Sequence, residues 1–187
     1  MQSLQLDFKK TALVIIDLQK GITGFPGGSE VVVQSKKLID KFRENQGFIS
    51  FVRVDFLDGK DALVPKTDQA ASEGMERAAD WAEFNPSMEV GPNDHIITKR
   101  QWGAFFGTDL DIQLRRRGID TIVLCGIATN IGVESTAREA FQHGYNQIFI
   151  TDAMTTFTKE EHEATLKYIF PRIGQLRSTE EFLSQVK

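Results

Sequence analysis

Apolar residues fall into two kinds of stretch along the chain, short unbroken runs and longer segments with a period near 3.6, and their order is that of an α/β protein. Residues 11–17 (TALVIID) and 48–54 (FISFVRV) are strand-like runs. Between them, residues 29–45 place Val31, Val32, Leu38, Ile39 and Phe42 on one helical face, with Ser29 the expected N-cap and Gly47 the expected C-terminal glycine. The three segments make a βαβ unit. The alternation resumes at residue 95, with strand over 95–99, helix over 109–117, strand over 121–126, helix over 132–143 and strand over 147–151. Thr158 with Glu161, and Ser178 with Glu181, spell capping boxes that each open a further helix, and a short strand over 175–177 separates them. Repeated βα order predicts a parallel sheet.

Residues 55–93 break the pattern. Pro65, Pro86, Pro92 and several glycines leave no clean period, so the segment is predicted to run as a long excursion over the sheet. Phe56, Trp81 and Phe84 favour an ordered, packed excursion, because disordered linkers are poor in aromatic residues.

Composition narrows the functional classes. The 187 residues suit one domain, residues 1–187, able to bury its own core. With 22 Lys+Arg against 26 Asp+Glu, scattered along the chain, the net charge of -4 makes nucleic acid an unexpected partner. MQSLQLDFKK lacks the apolar core of a secretory leader, and no apolar run approaches the ~20 residues of a membrane helix, so a soluble cytoplasmic protein with no membrane partner is expected. The single cysteine, Cys125, allows no intrachain disulfide and fits a reducing compartment.

In open parallel sheets, ligands bind beyond the C-terminal strand ends, so residues at strand exits are the first candidates for chemistry. Asp17 closes the first run, where a turn cap is an equally good reading. Lys99 and Arg100 close the strand over 95–99, although such a pair is more often solvated surface. The strand over 121–126 runs into Gly126-Ile127-Ala128-Thr129-Asn130-Ile131-Gly132 and then a helix, whose first-turn N–H groups suit an anion or oxyanion. The run Gly21, Gly24, Gly27, Gly28 matches neither nucleotide-binding glycine spelling and reads as a lid or turn beside Asp17. Asp152 at a strand exit reads as a cap or hydrogen-bond acceptor.

The spellings ALVIIDLQ, TKRQWGAFFGTDLD, LRRRGIDTIVLCGIATNIGVESTAREAF and IFPRIGQLRSTEEFL together resemble the isochorismatase-like hydrolases, also called the cysteine hydrolase family, and within it the YecD-like branch. The resemblance covers nearly the whole chain outside residues 55–90. It implies a single-domain three-layer α/β/α fold with a mostly parallel six-stranded sheet, and a cis peptide between Ile127 and Ala128 that aims the Ala128 and Gly132 N–H groups into a pocket. In cysteine-using members it implies an Asp, Lys, Cys triad, matched here by Asp17, Lys99 and, at the nucleophile position, Gly132. Glycine has no side chain to form a covalent acyl intermediate, so the thiol route is closed there. Cys125, inside the strand TIVLCG, reads as core packing. Nicotinamidase-type members carry a metal-binding Asp-x-His where this chain has Asp55-Phe56-Leu57, and His95, His143 and His162 show no ligand spacing, so neither metal nor organic cofactor is expected.

Isochorismatases share the glycine, and their chemistry uses the Asp as a general acid on a vinyl ether. Asp17 would then have to hold a proton against a neighbouring Lys99 ammonium. The resemblance implies a glutamine just after the second strand and an arginine in the following loop to hold two carboxylates; the chain reads Arg53-Val54-Asp55 there, without the glutamine, and Arg53, Lys60, Arg77 or Arg100 is left to receive an acidic substrate. Phe25, Trp81, Trp102, Phe105 and Phe106 are candidates to wall the pocket, and Gln19 and Asn130 to orient substrate or catalytic groups. The expected protein is a small-molecule hydrolase with Asp17 in acid/base chemistry and Lys99 and the elbow amides stabilising charge. Its rivals are an isochorismate pyruvate-hydrolase and a catalytically silent binding or assembly protein. A homo-oligomer of at least two copies is expected.

Overall fold

The strands β1 (Thr11–Ile16), β2 (Phe48–Val54), β3 (His95–Lys99), β4 (Thr121–Ile127), β5 (Asn146–Thr155) and β6 (Gln175–Arg177) form one sheet in the order β3-β2-β1-β4-β5-β6. Every neighbouring pair is parallel, so the sheet is parallel throughout. The computed structural model describes residues 4, 6–68 and 77–186; part of the amino-terminal stretch, positions 69–76 of the excursion and Lys187 lie outside the described residues. The chain starts at the centre of the sheet, winds through β2 to the β3 edge, then crosses to β4 and winds to β6. That reversal leaves a crevice beyond the C-terminal ends of β1 and β4.

Helices cover both faces. Leu13 and Ile15 of β1 share a core with α1 (Gly28–Glu44) and α6 (Thr179–Gln185), while Ala12, Val14 and Ile16 pack with α2 (Leu110–Arg116), α3 (Glu134–Gln142) and α5 (Phe170–Ile173). Burial on both faces is why β1 reads as an unbroken apolar run rather than an alternating one. The remaining helix, α4 (Lys159–Tyr168), opens with the Thr158–Glu161 capping box, and α6 opens with the Ser178–Glu181 box, both with their reciprocal bonds formed.

Three ends differ from expectation. The N-cap of α1 is Gly27, in the left-handed region at φ 75°, and Ser29 lies inside the first turn with its hydroxyl donating to Glu30. At the other end Gln46, not Gly47, takes the left-handed conformation, and the Gln46 and Gly47 N–H groups donate to the carbonyls of Arg43 and Phe42 in a Schellman pair. The helix predicted over 132–143 is preceded by a wide turn of i→i+5 type, Thr129–Val133, and straightens into α3 only at Glu134. Part of the excursion is packed, as its aromatics predict: Phe84 meets Phe51 edge-on, and a single-turn helix at Pro86–Met88, capped by Asn85, buries Met88, whereas residues 63–68 are exposed, Leu63 and Val64 among them.

Candidate active site

Asp17 is the first residue past β1. Its φ of 54° is unusual for a non-glycine residue, and its N–H donates to the Val52 carbonyl of β2 at 2.9 Å, which holds the bend in place. Lys99 ends β3. Because β2 stands between β3 and β1, the Lys99 side chain must cross the end of β2, and its Nζ lies 2.8 Å from Asp17 Oδ2. Nζ also donates to the Trp102 carbonyl at 2.6 Å. Both side chains are almost wholly buried, at 1% and 7% exposure, and the second carboxylate oxygen, Asp17 Oδ1, is buried with no hydrogen-bond partner. Burial pushes the Asp17 carboxyl up to about 6, and the Lys99 ammonium opposes that rise without cancelling it. The opposition foreseen in the sequence thus goes to burial.

The third element is the elbow after β4. Gly126 has φ 126°, and a Cβ there would lie 2.1 Å from the Ile16 carbonyl oxygen, so only glycine lets β4 approach β1 this closely. The Ile127–Ala128 peptide is cis. Within the turn that follows, a Cβ on Gly132 would lie 3.2 Å from both Asp17 Oδ2 and Lys99 Nζ, and 3.1 Å from Ile16 Cγ2. A side chain at 132 would therefore point between the acid and the amine. The elbow is clamped from outside: Thr129 Oγ1 meets His162 Nδ1 at 2.8 Å, and Thr136 Oγ1 donates to the Gly132 carbonyl at 2.7 Å.

These groups form the floor of a cavity of about 280 Å³ whose walls are mainly apolar side chains. Of the residues expected at the site, Asp17, Lys99, Ala128, Gly132, Phe25, Trp81 and Trp102 line it. Two expected residues do not. Gln19 is fully buried beside the cavity, its amide donating to the Val54 and Trp81 carbonyls and its oxygen accepting from the Val54 N–H, so it straps the excursion to β2 rather than meeting substrate. Asn130 turns outward and accepts from Thr156 Oγ1 at 2.6 Å. Adjacency to Asp17 or to the elbow places the backbone, not the direction of a side chain. Phe105 belongs to the core and Phe106 is exposed away from the lining. Sequence reasoning missed Phe56 and Phe157 as wall residues, and no local signal distinguishes them.

Among the other chemical candidates, Cys125 is fully buried with Ser35 Oγ 3.6 Å from its Sγ, and burial pushes the thiol up to about 12, which suits core packing. Asp152 accepts from the N–H and Oγ1 of Thr179 and so caps α6. Of the four cations considered for an acidic substrate, Arg53 and Lys60 lie outside the cavity, whereas Arg77 and Arg100 line it. Among the described residues, no group of three His, Cys, Asp or Glu is arranged to hold a metal ion, and no helix is long and apolar enough to cross a membrane.

Residues 11–181 match the isochorismatase domain. The chain is 70% identical to the isochorismatase family protein YwoC of Bacillus subtilis (strain 168), with 100% of each chain covered. It is 47% identical to the isochorismatase family protein YecD of Escherichia coli O157:H7, over 97% of this chain and 98% of that one. Its structure is similar to that of a solved isochorismatase family protein from Burkholderia thailandensis, with a TM-score of 0.92 at 43% identity and 98% of each chain covered.

Proposed function

The chain belongs to the isochorismatase family, and from that premise we propose that it hydrolyses a small molecule without a cysteine nucleophile. In this reading Asp17 moves the proton, and Lys99 with the backbone amides of Ala128 and Gly132 stabilises developing negative charge. The observation that carries it is the position of the Gly132 Cβ direction, 3.2 Å from both Asp17 Oδ2 and Lys99 Nζ. The acid and the amine surround the place a nucleophile would take, and glycine leaves no attacking atom there. Water then has to supply the oxygen, and Asp17 Oδ2, the carboxylate oxygen beside that position, supports a role in accepting or delivering a proton there.

A second reading is favoured by the raised Asp17 carboxyl, which holds its proton to about pH 6. As a general acid it would protonate the terminal carbon of a vinyl ether, and water would capture the oxocarbenium ion, which is the chemistry of an isochorismate pyruvate-hydrolase. The single buried thiol supports a cytoplasmic setting, and the exposed Trp102 and Phe106 support an oligomer of at least two copies.

The test is a screen of vinyl ethers, esters and amides, isochorismate included, run with the wild type and Asp17→Asn. We expect turnover of at least one class, reduced by roughly 100- to 10,000-fold in Asp17→Asn, the range for loss of a general acid or base. Release of pyruvate from isochorismate selects the second reading. Equal rates in the two proteins would overturn both and leave a silent binding protein of the same fold.

A further inference from the structure

The elbow after β4 and the loop that follows β3 are tied to each other through one side chain. Thr136 lies on α3, one turn past Gly132, and is fully buried. Its Oγ1 donates to the Gly132 carbonyl at 2.7 Å and accepts from the Ala104 N–H at 3.1 Å. A hydroxyl has a single proton, so donation to Gly132 leaves only its lone pairs for the loop, and the bond from Ala104 takes one of them. Two residues before Ala104, the Trp102 carbonyl accepts from Lys99 Nζ at 2.6 Å, and the same Nζ reaches Asp17 Oδ2 at 2.8 Å. The bonds thus run from the backbone of residue 132, through Thr136 and the loop, to the amine that faces residue 132. One turn further along α3, Glu139 Oε2 accepts from the Phe105 N–H at 3.0 Å and holds the same loop from a half-buried position.

We propose that Thr136 is a positioning residue of the site, keeping the Lys99 ammonium in register with position 132. Both partners need such a tie. Glycine restricts its own backbone less than any other residue, so nothing in residue 132 itself fixes the turn. Lysine carries its charge on a flexible four-carbon stem, so the direction of Nζ is set by the acceptors at its end, one of which is the Trp102 carbonyl. A single buried hydroxyl bonded to both segments gives the free backbone and the flexible amine a common reference. In the proposed hydrolytic reading, on which the use of Lys99 rests, this register decides whether the ammonium meets the charge that develops beside residue 132. Valine matches threonine in shape without the hydroxyl, so Thr136→Val leaves the buried Ala104 N–H unmet and the loop has to shift to satisfy it. Serine keeps the hydroxyl and the register.

The register is read with a thiol placed at position 132. Gly132→Cys sets its Cβ 3.2 Å from Lys99 Nζ, and a neighbouring ammonium favours the thiolate. The rate of iodoacetamide alkylation there is followed from about pH 5 to pH 10 in Gly132→Cys alone and combined with Thr136→Val or Thr136→Ser. Asp17 faces the thiol in every variant, so differences between the profiles report Lys99. We expect Thr136→Val to raise the midpoint of the profile by about one pH unit, lowering the rate below that midpoint about tenfold, and Thr136→Ser to stay within about twofold of the parent. A midpoint unmoved in Thr136→Val, or moved as far in Thr136→Ser, would overturn the role, since packing alone would then account for Thr136. Labelling of the buried Cys125 reports whether each variant is folded. If Thr136→Val is not, Glu139→Ala frees the same loop from outside the core and is expected to raise the midpoint by a smaller amount, an unmoved midpoint there again overturning the role. No turnover is measured, so this result and the substrate screen fail independently of each other.

Discussion

Two hydrogen-bonded strings of side chains join strands at opposite ends of the same sheet. At the C-terminal end, Lys99 of β3 reaches Asp17 beyond β1, with Gly132 beside them. Toward the N-terminal end, Ser50 of β2 meets His95 Nδ1 at 3.0 Å, and His95 Nε2 meets Asp109 at 3.2 Å. The second string has the connectivity of a nucleophilic triad, and on residue types alone it would be the more conspicuous catalyst. Yet Ser50 is fully buried within the sheet and its hydroxyl is already bonded, so no substrate can reach it. The first string has no nucleophile, but it opens on a cavity and keeps one buried carboxylate oxygen without a partner. The contrast teaches that a site is marked by polar residues that line accessible space, because an enclosed and fully satisfied network has nothing left to offer a ligand.

That comparison can be broken most sharply with Gly132→Cys. The new thiol would sit between Asp17 and Lys99, whereas the thiol of Cys125 is buried and pushed up to about 12. At pH 7.5 the difference in thiolate fraction gives the introduced thiol an alkylation rate roughly a thousandfold above that of Cys125, read by iodoacetamide labelling and peptide mass spectrometry. Similar rates at the two positions would show that the elbow does not aim residue 132 as described. A smaller effect separates the two strings by stability. Lys99→Met strands a buried carboxylate and should cost about 3–5 kcal/mol in urea unfolding at neutral pH, whereas Ser50→Ala, which removes a neutral hydrogen bond, should cost about 1 kcal/mol. Comparable losses would contradict the charged, buried character of the first string.

The smallest effect follows from protonation of Asp17. Its carboxyl is raised from 3.8 to about 6, so between those values the native protein holds a proton that the unfolded chain has released. The stabilising contribution is complete at low pH and is lost as pH rises through about 6, by about 3 kcal/mol in all. Asp61 and Asp80 are held below their ordinary values, chiefly by hydrogen bonds from the Leu57 N–H and from Lys20, and act in the opposite sense. The quantity to measure is therefore the difference in pH dependence between wild type and Asp17→Asn. A difference that stays flat from pH 4 to pH 7 would rule out the raised carboxyl.

Much of the fold was legible because it rests on local rules. The apolar runs of β1 and β2 and the capping boxes at Thr158 and Ser178 depend on neighbours within a few residues, and they formed where the sequence placed them. Ser29 and Gly47 misled because composition favours a serine cap and a glycine stop, while packing decided otherwise: a Cβ on Gly47 would lie 2.7 Å from the Phe42 ring, so that glycine answers to a neighbour rather than to its own φ. At the site, Asp17 and Lys99 were legible as strand exits. Gln19, Asn130, Phe56 and Phe157 were not, because which way a loop side chain turns is settled by contacts distant in sequence, such as the Gln19 bonds to Val54 and Trp81.

Part of the cavity wall comes from a different stretch of chain than the floor. Asp17, Lys99 and Gly132 hang from the ends of β1, β3 and β4, whereas Phe56, Arg77 and Trp81 all belong to the one connection between β2 and β3. In the proposed hydrolytic reading, the proton-moving groups and this part of the wall are therefore carried on separable stretches of polypeptide. A relative could exchange that single crossing for another of different length and chemistry, and so meet a new compound, while the frame of strand ends beneath it stayed as it was.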